Sequence, residues 1–337
     1  MRQRLRTLGA AASSVPITLF GLVLVTFLIG RVMPIDPIIA IVGDHAMPDV
    51  AQAARDHLGL DKPLAVQFWI YIKLLAQGDL GRSVMTSNPV THDIVQYFPA
   101  TIELATVAIL IAVAIGIPLG VLAAARRGTW IDHCVRVFCL AGHSIPIFLL
   151  ALIALLVFYA TLGWAPGTGR SDVGLEGMVP DVTGFLTIDA LLARDWDSFR
   201  DAVAHLMLPA GVLAYFSMAY IARMTRAFML DALGGEFVIT ARAKGLSAAR
   251  VIWRHAFGNI AVRLVTVLAL TYAGLLEGAV VTETVFGWPG LGQYLTISLL
   301  NADMNAVLGA TLVIGLSYLL LNLLADAAYR LLDPRVR

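Results

Sequence analysis

Six long apolar runs separated by charged segments set the pattern of the chain: residues 10–30, 101–125, 137–162, 206–222, 260–282 and 306–325. Each approaches or exceeds the roughly 20 residues that a helix needs to cross a hydrocarbon layer of about 30 Å. The pattern predicts an all-α membrane protein with six transmembrane helices. Within the third run, Ser144-Ile145-Pro146 predicts a proline kink. The fourth run is less apolar and contains Pro209, which predicts a helix facing protein or a pathway rather than lipid.

The longest connection, residues 31–99, does not read as a span. Met33-Pro-Ile-Asp-Pro breaks the first helix, Asp49 to Leu60 is amphipathic, and Leu64 to Ala76 carries Phe68, Trp69 and Tyr71. Such segments lie in a membrane interface. The expected organisation is therefore a first span within residues 1–30, an extracytoplasmic region with amphipathic helices over 31–99, and a five-span core over 100–337 that includes a polar segment at 223–259.

Charge placement orients these elements. Segments assigned to the inner side hold fifteen Lys and Arg residues, among them Arg2, Arg4, Arg6, Arg126, Arg127, Arg136, Arg330, Arg335 and Arg337. Those assigned to the outer side hold eight, spread over far more residues. The loop after residue 162 carries seven acids against three arginines. The positive-inside rule then places both termini in the cytoplasm. Arg2, Arg4 and Arg6 precede an apolar run too long for a signal peptide, with no small-residue cleavage site after it, so it reads as an uncleaved span.

Composition agrees with this class: 59% of the 337 residues are hydrophobic and 14% charged. The net charge of +1 and the absence of a basic domain leave no nucleic-acid partner. Cys134 and Cys139 lack the spacing and companions of a metal or redox pair and are expected to be buried free thiols.

The segment 223–259 is the most informative. Gly234-Gly235 ends the preceding helix, Glu236 suits a helix N-terminus, and Gly245 suits a C-terminal cap. Ser247 then predicts the start of a second helix ending at Gly258-Asn259. In it, Ala249, Ile252, Trp253 and Ala256 share one face and Arg250 and Arg254 another.

The wording Thr240-Ala241-Arg242-Ala243-Lys244-Gly245-Leu246-Ser247, with Arg254-His255-Ala256, resembles the cytoplasmic coupling loop of permease subunits of binding-protein-dependent ABC importers, in the dipeptide, oligopeptide and nickel branch. Leu58-Gly-Leu-Asp-Lys-Pro-Leu, Gly78-Asp-Leu-Gly-Arg-Ser and Pro99-Ala-Thr-Ile-Glu-Leu-Ala resemble the same branch. The general importer loop, Glu-Ala-Ala-x3-Gly-x9-Ile-x-Leu-Pro, is met only at Ala241 and Gly245, so the branch-specific wording carries the resemblance. It implies that Thr240, Ala241, Arg242, Lys244, Gly245, Arg254 and His255 form a loop that couples to an ATPase. It also implies a second homologous permease, two ATPase subunits that bind ATP and Mg, an extracytoplasmic solute-binding protein, lipid contact, and a bacterial or archaeal cytoplasmic membrane.

No catalytic site stands out. No Gly-Lys pair exists to form a phosphate loop, and neither a zinc His-Glu-x-x-His nor a Gly-x-Ser-x-Gly elbow occurs. The chain is expected to be a transport subunit without cofactor or metal, its solute a peptide or else nickel or another small solute. Ionisable residues at membrane depth are costly and mark pathways or partners. Glu277 is a candidate for the translocation path or else a snorkelling or paired carboxylate near the interface, and Glu103 and Glu283, at span ends, are candidates for the path or interfacial or helix N-terminal acids. Arg263 reads as an interfacial anchor, His143 and His255 as packing or docking residues, and Asn322 with Asp326 as interhelical bonding groups. A secondary transporter would show an inverted repeat or midplane acids instead. An intramembrane hydrolase would need paired catalytic side chains within the spans.

Overall fold

Apolar composition and capping residues produce eleven helices among the described residues of a computed structural model, which describes residues 16–30, 47, 49, 52 and 62–332. The expected break at residues 33–37, most of the amphipathic stretch 49–60, and the basic ends at Arg2–Arg6 and Arg335–Arg337 lie outside the described residues. No strand occurs among those described, only one isolated bridge, Arg82 to Pro89. Four helices are long and apolar enough to cross a membrane, or five if one bent pair counts as a single span.

The chain divides into two compact units, residues 1–99 with 290–319, and residues 100–289 with 320–337. In the first unit, α1 (Pro16–Gly30) meets α2 (Leu64–Ala76) through Phe27, whose ring centroid lies 5.2 Å from Phe68 and 5.7 Å from Tyr71. The turn before α3 (Val90–Ala125) is held by two buried carboxylates. Asp93 accepts from Thr86 Oγ1, Asn88 Nδ2 and Tyr294 OH. Asp303 accepts from Ser83 Oγ, Val84 N and Met85 N. It also caps α11 (Met304–Leu332), accepting from Ala306 N at 3.3 Å. Between them α10 (Leu291–Leu300) stacks Tyr294 on Tyr97. These bonds explain the Gly78-Asp-Leu-Gly-Arg-Ser wording: Gly81 adopts φ +83 and donates to Asp79, and Ser83 reaches Asp303.

In the second unit, α4 (Trp130–Ser144) and α5 (Ile147–Thr161) meet at 102°, so the expected kink within 137–162 is a full break. Ile145 is extended, at φ −83 and ψ 123, because the Pro146 ring excludes the helical conformation from the residue before it. The short α6 (Leu186–Ala193) precedes α7 (Trp196–Leu233), which the Asp195 carboxylate caps by accepting from Asp197 N and Ser198 N. α7 continues through Pro209 and eleven residues past the expected end at Ala222, so residues 223–233 belong to it rather than to the polar loop. It meets α6 and packs small apolar residues on its other neighbours: Ala210 and Ala214 against α3, Ala219 and Ala222 against α4, and Val212 against α5. Where α3 crosses it, a Cβ on Gly120 would lie 2.6 Å from the Ala222 carbonyl oxygen.

After α8 (Glu236–Ala243), one helix, α9 (Ala248–Phe286), runs through Gly258-Asn259 where an end was expected. Gly258 is helical, at φ −56 and ψ −33. A glycine costs a helix only about 1 kcal/mol, which the packing of Ile260 and Leu264 with Met229 and Ala232 of α7 and Val121 and Ala124 of α3 offsets. Residues Val251–Phe257 form a π-helical stretch. Cys139 is buried as expected but Cys134 is exposed, since α4 turns residues 132, 135, 139 and 142 inward.

Candidate functional site

The polar segment folds into a helical hairpin. Gly245, at φ +76, ends α8: its N–H donates to Arg242 O at 2.9 Å, and Leu246 N–H donates to Ala241 O at 3.3 Å. This pair of bonds with a left-handed glycine is the Schellman cap, and its apolar contact is present, Leu246 packing with Ala241, Val238 and Val251. Ser247 precedes α9 in extended conformation, but its side chain makes no capping bond.

Burial defines two faces. Val238, Ala241 and Val251 are buried and hold the hairpin together. Thr240, Arg242, Lys244, Gly245 and Arg254 are exposed and His255 is half-buried. Large apolar side chains join them on the exposed side: Ile239 is 66% exposed, Trp253 49% and Phe237 38%. A mixed apolar and cationic surface on a rigid support is the composition of a docking site. Ile239 and Phe237 escape a search by helical spacing because they adjoin the buried Val238 in sequence.

The expected face of Ala249, Ile252, Trp253 and Ala256 is divided. Ala256 is fully buried and Ile252 packs beside it, whereas Ala249 and Trp253 are exposed. The π-helical turn is the cause: Val251 and Ala256, five residues apart, both turn inward, and the 3.6-residue phase is lost. His143 stacks on Phe216 with centroids 5.6 Å apart. Arg263, well inside α9, lies over Phe228 and 3.7 Å from Asp231. Asn322 is half-buried, and the Asp326 side chain lies outside the described residues.

The three candidate acids have different surroundings. Glu103 is 4% exposed and accepts from the Arg170 guanidinium, Thr187 N and Thr187 Oγ1. Arg170 also donates to Gly184 O at 2.7 Å and lies 5.8 Å from the Trp288 ring. Glu283 is fully buried and accepts from Thr101 Oγ1 at 2.7 Å. Trp288 closes this cluster, its indole N–H donating to Ala100 O at 3.0 Å. The structure thus brings Glu103 and Glu283 into one buried layer with Arg170 and Trp288, which sequence spacing did not single out. Glu277 stands apart on α9: it is exposed and makes no hydrogen bond or ion pair among the described residues. Its nine-residue distance from Phe286 places it about 13 Å along the helix from that end.

Comparison with known proteins bears on these features together. Residues 116–337 match the family described as "Binding-protein-dependent transport system inner membrane component", and residues 4–105 match the N-terminal component of the same system. The chain is 44% identical over 321 residues to "Di/tripeptide transport system permease protein DppB" of Pseudomonas aeruginosa, with 95% of each chain covered. It is 42% identical to "Probable D,D-dipeptide transport system permease protein DdpB" of Escherichia coli, covering 94% of this chain and 93% of the relative. It is 40% identical to the Escherichia coli "Dipeptide transport system permease protein DppB", with 95% of each covered. With two family matches that together take in nearly all its residues and full-length relatives at this identity, the chain belongs to the inner-membrane permease components of binding-protein-dependent transport systems.

Proposed function

We propose that this chain is the permease subunit of an ATP-driven peptide importer, and that its helical hairpin is the point where ATP hydrolysis is transmitted to the spans. The observation that carries the reading is the hairpin itself. Buried Val238, Ala241 and Val251 hold α8 rigidly against α9, while Phe237, Ile239, Arg242, Lys244 and Trp253 stay exposed, Trp253 meeting only the ring of its neighbour Phe257 among the ring contacts of the described residues. The names of the three relatives above, which give di/tripeptide, probable D,D-dipeptide and dipeptide transport systems, support a short peptide as the solute.

In this reading the chain crosses the membrane six times with both termini in the cytoplasm. The four long apolar helices, the bent pair α4–α5 and the apolar α1 support that number, and the fifteen inner against eight outer basic residues support the orientation. ATP and Mg are bound by two partner ATPase subunits, and the chain has no ATPase site of its own. A second homologous permease completes the path, and a solute-binding protein delivers peptide to the outer segments. Closure of the ATPases displaces Thr240–Gly245, with Arg254 and His255 beside them, and the spans exchange outward for inward access. Glu277, exposed and unpaired on α9, faces the path and meets the peptide amino group. Glu103 and Glu283, committed to Arg170, Thr187 and Thr101, hold the outer layer that frames it.

Gly245→Trp tests this function. A Cβ at Gly245 meets no heavy atom within 4 Å, so the indole projects from the hairpin without disturbing its core. The left-handed φ adds a backbone cost of about 1–2 kcal/mol, too small to unfold the chain. Tagged wild-type chain in mild detergent should retain an ATPase and show peptide-stimulated hydrolysis. The variant should stay folded and lose both. An ATPase absent from the wild type in several detergents would refute the reading.

A further inference from the structure

A basic cavity between α4 and α7 takes no part in the function described above. Its volume is about 270 Å³, near the lower end for small-molecule pockets, and Arg136, His143, Ser144, Arg223 and Arg226 line it together with the apolar Leu140. The guanidinium of Arg226 is committed to the buried Asp132, at 2.6 and 2.8 Å. Arg136 and Arg223 form no ion pair among the described residues, and Arg223 only rests over the Tyr220 ring at 5.5 Å. Three guanidiniums therefore face one carboxylate, and the cavity holds an uncompensated positive charge suited to an anion.

The setting of the cavity selects the kind of anion. α4 lies crosswise to the apolar α5, at 102°. Its Asp132, Val135, Cys139 and Gly142 are buried, and Gly142 allows contact with Tyr215 and Ala219 of α7. The other flank exposes Val137 at 66% and Leu140 at 61%, and Trp130 opens the helix at 73% exposure. A crosswise helix with an apolar outer flank, a terminal Trp and adjacent arginines has the composition of an interfacial segment beside anionic headgroups. A small free anion would need the guanidiniums but not the apolar flank.

We propose that this cavity binds the phosphodiester of an anionic phospholipid of the cytoplasmic leaflet. Arg136 and Arg223 are the charge partners, the Ser144 hydroxyl is a donor, and the acyl chains lie along Val137 and Leu140. The lipid wedges α4 against α7, the helix that leads directly into the coupling hairpin. This inference rests on the topology and importer reading given above.

The test uses the importer complex in nanodiscs of phosphatidylcholine with or without phosphatidylglycerol, with retained lipid counted by native mass spectrometry and peptide-stimulated ATPase measured on the same sample. Wild type should retain phosphatidylglycerol and hydrolyse ATP faster when it is present. Arg136→Gln with Arg223→Gln should lower retention about tenfold or more and remove the stimulation. Arg136→Lys with Arg223→Lys should keep most of both, which guards against misfolding as the cause. Arg126→Gln with Arg127→Gln, an equal loss of charge outside the cavity, should keep both.

Equal retention in the cavity and control variants would overturn the proposal. So would displacement of phosphatidylglycerol by millimolar inorganic phosphate, which would assign the cavity to a free anion. A raised KM for peptide with unchanged lipid retention would assign the arginines to the peptide route and also overturn it. The ATPase partner is read from the composition of the particle and the lipid from its mass. Loss of the partner from wild type would sink the importer reading, while the retention ratio still decides the cavity.

Discussion

Glu103 offers the sharpest separation of a structural from a transport role. Its carboxylate is almost wholly buried, and its charged partner Arg170 is 17% exposed. Removing one member of a buried ion pair costs about 3–5 kcal/mol, because the other charge is left without compensation. Glu103→Gln keeps a carbonyl for Thr187 N, and Arg170 keeps Gly184 O and the Trp288 ring, so the lower figure of about 3 kcal/mol applies. For a unit of roughly 200 residues each kcal/mol shifts the melting temperature by about 2–4 °C, so the variant should melt about 6–12 °C below wild type. Glu103→Leu combined with Arg170→Leu removes both charges and should melt above the single Glu103→Gln variant, the signature of a coupled pair. Below the melting transition, the KM for peptide should match wild type. A shift under about 2 °C, or a double variant showing the plain sum of the two single losses, would refute the ion-pair reasoning. A KM raised several-fold in a fully folded Glu103→Gln protein would place Glu103 in the path.

Two further outcomes follow from the packing of α3, α7 and α9. Gly120→Ala puts a methyl group 2.6 Å from the Ala222 carbonyl oxygen and should cost about 1–3 kcal/mol, whereas Gly274→Ala meets nothing within 4 Å and should be neutral or stabilising by up to about 1 kcal/mol; parallel thermal melts compare them. Glu277→Gln should leave the melting temperature within about 2 °C of wild type, since the carboxylate has no partner within the described chain, while raising the KM for a peptide with a free amino terminus about tenfold. Unchanged uptake kinetics with both free and N-acetylated peptide would remove Glu277 from the path.

Most helices were legible in the sequence, because hydrophobic continuity and capping act over a few residues. Gly245, at φ +76, marks its break through backbone sterics alone, Gly234-Gly235 through low helix propensity, and Pro146 interrupts the third apolar run for an equally local reason. The 102° angle that follows is not local: it depends on how Gly142 of α4 meets Tyr215 and Ala219 of α7. The phase of residues 251–257 was hidden too. A five-residue interval between the buried Val251 and Ala256 is noise to a 3.6-residue template and becomes meaningful only once the π-helical turn is seen. Partners separated by many residues left no trace at all: Arg170 lies 67 positions from Glu103, and Glu283 lies 182 from Thr101. Charge alone nominated both acids, and burial then separated them from Glu277.

These late-emerging features share one element. α9 begins beside the hairpin, passes Glu277 and reaches Glu283 without interruption over 39 residues, about 58 Å at helical rise. Its two ends are fixed differently. At the hairpin, small apolar contacts from Val251 to Val238 and Ala241 hold it. At the other end, buried hydrogen bonds tie Glu283 to Thr101 and Trp288 to Ala100. A hydrogen bond is sharply directional in distance and angle, whereas apolar contact is not. Under the proposed coupling, a push on α8 reaches α9 through the rigid hairpin contact and is taken up first at the π-helical turn, where backbone bonding is already irregular, before it can disturb the Glu283–Thr101 end. Glu277 lies between the π-helical turn and the pinned end of the same helix, so under the proposed coupling a tilt about the pinned end would change what its carboxylate faces while the Glu103–Arg170 pair stays closed.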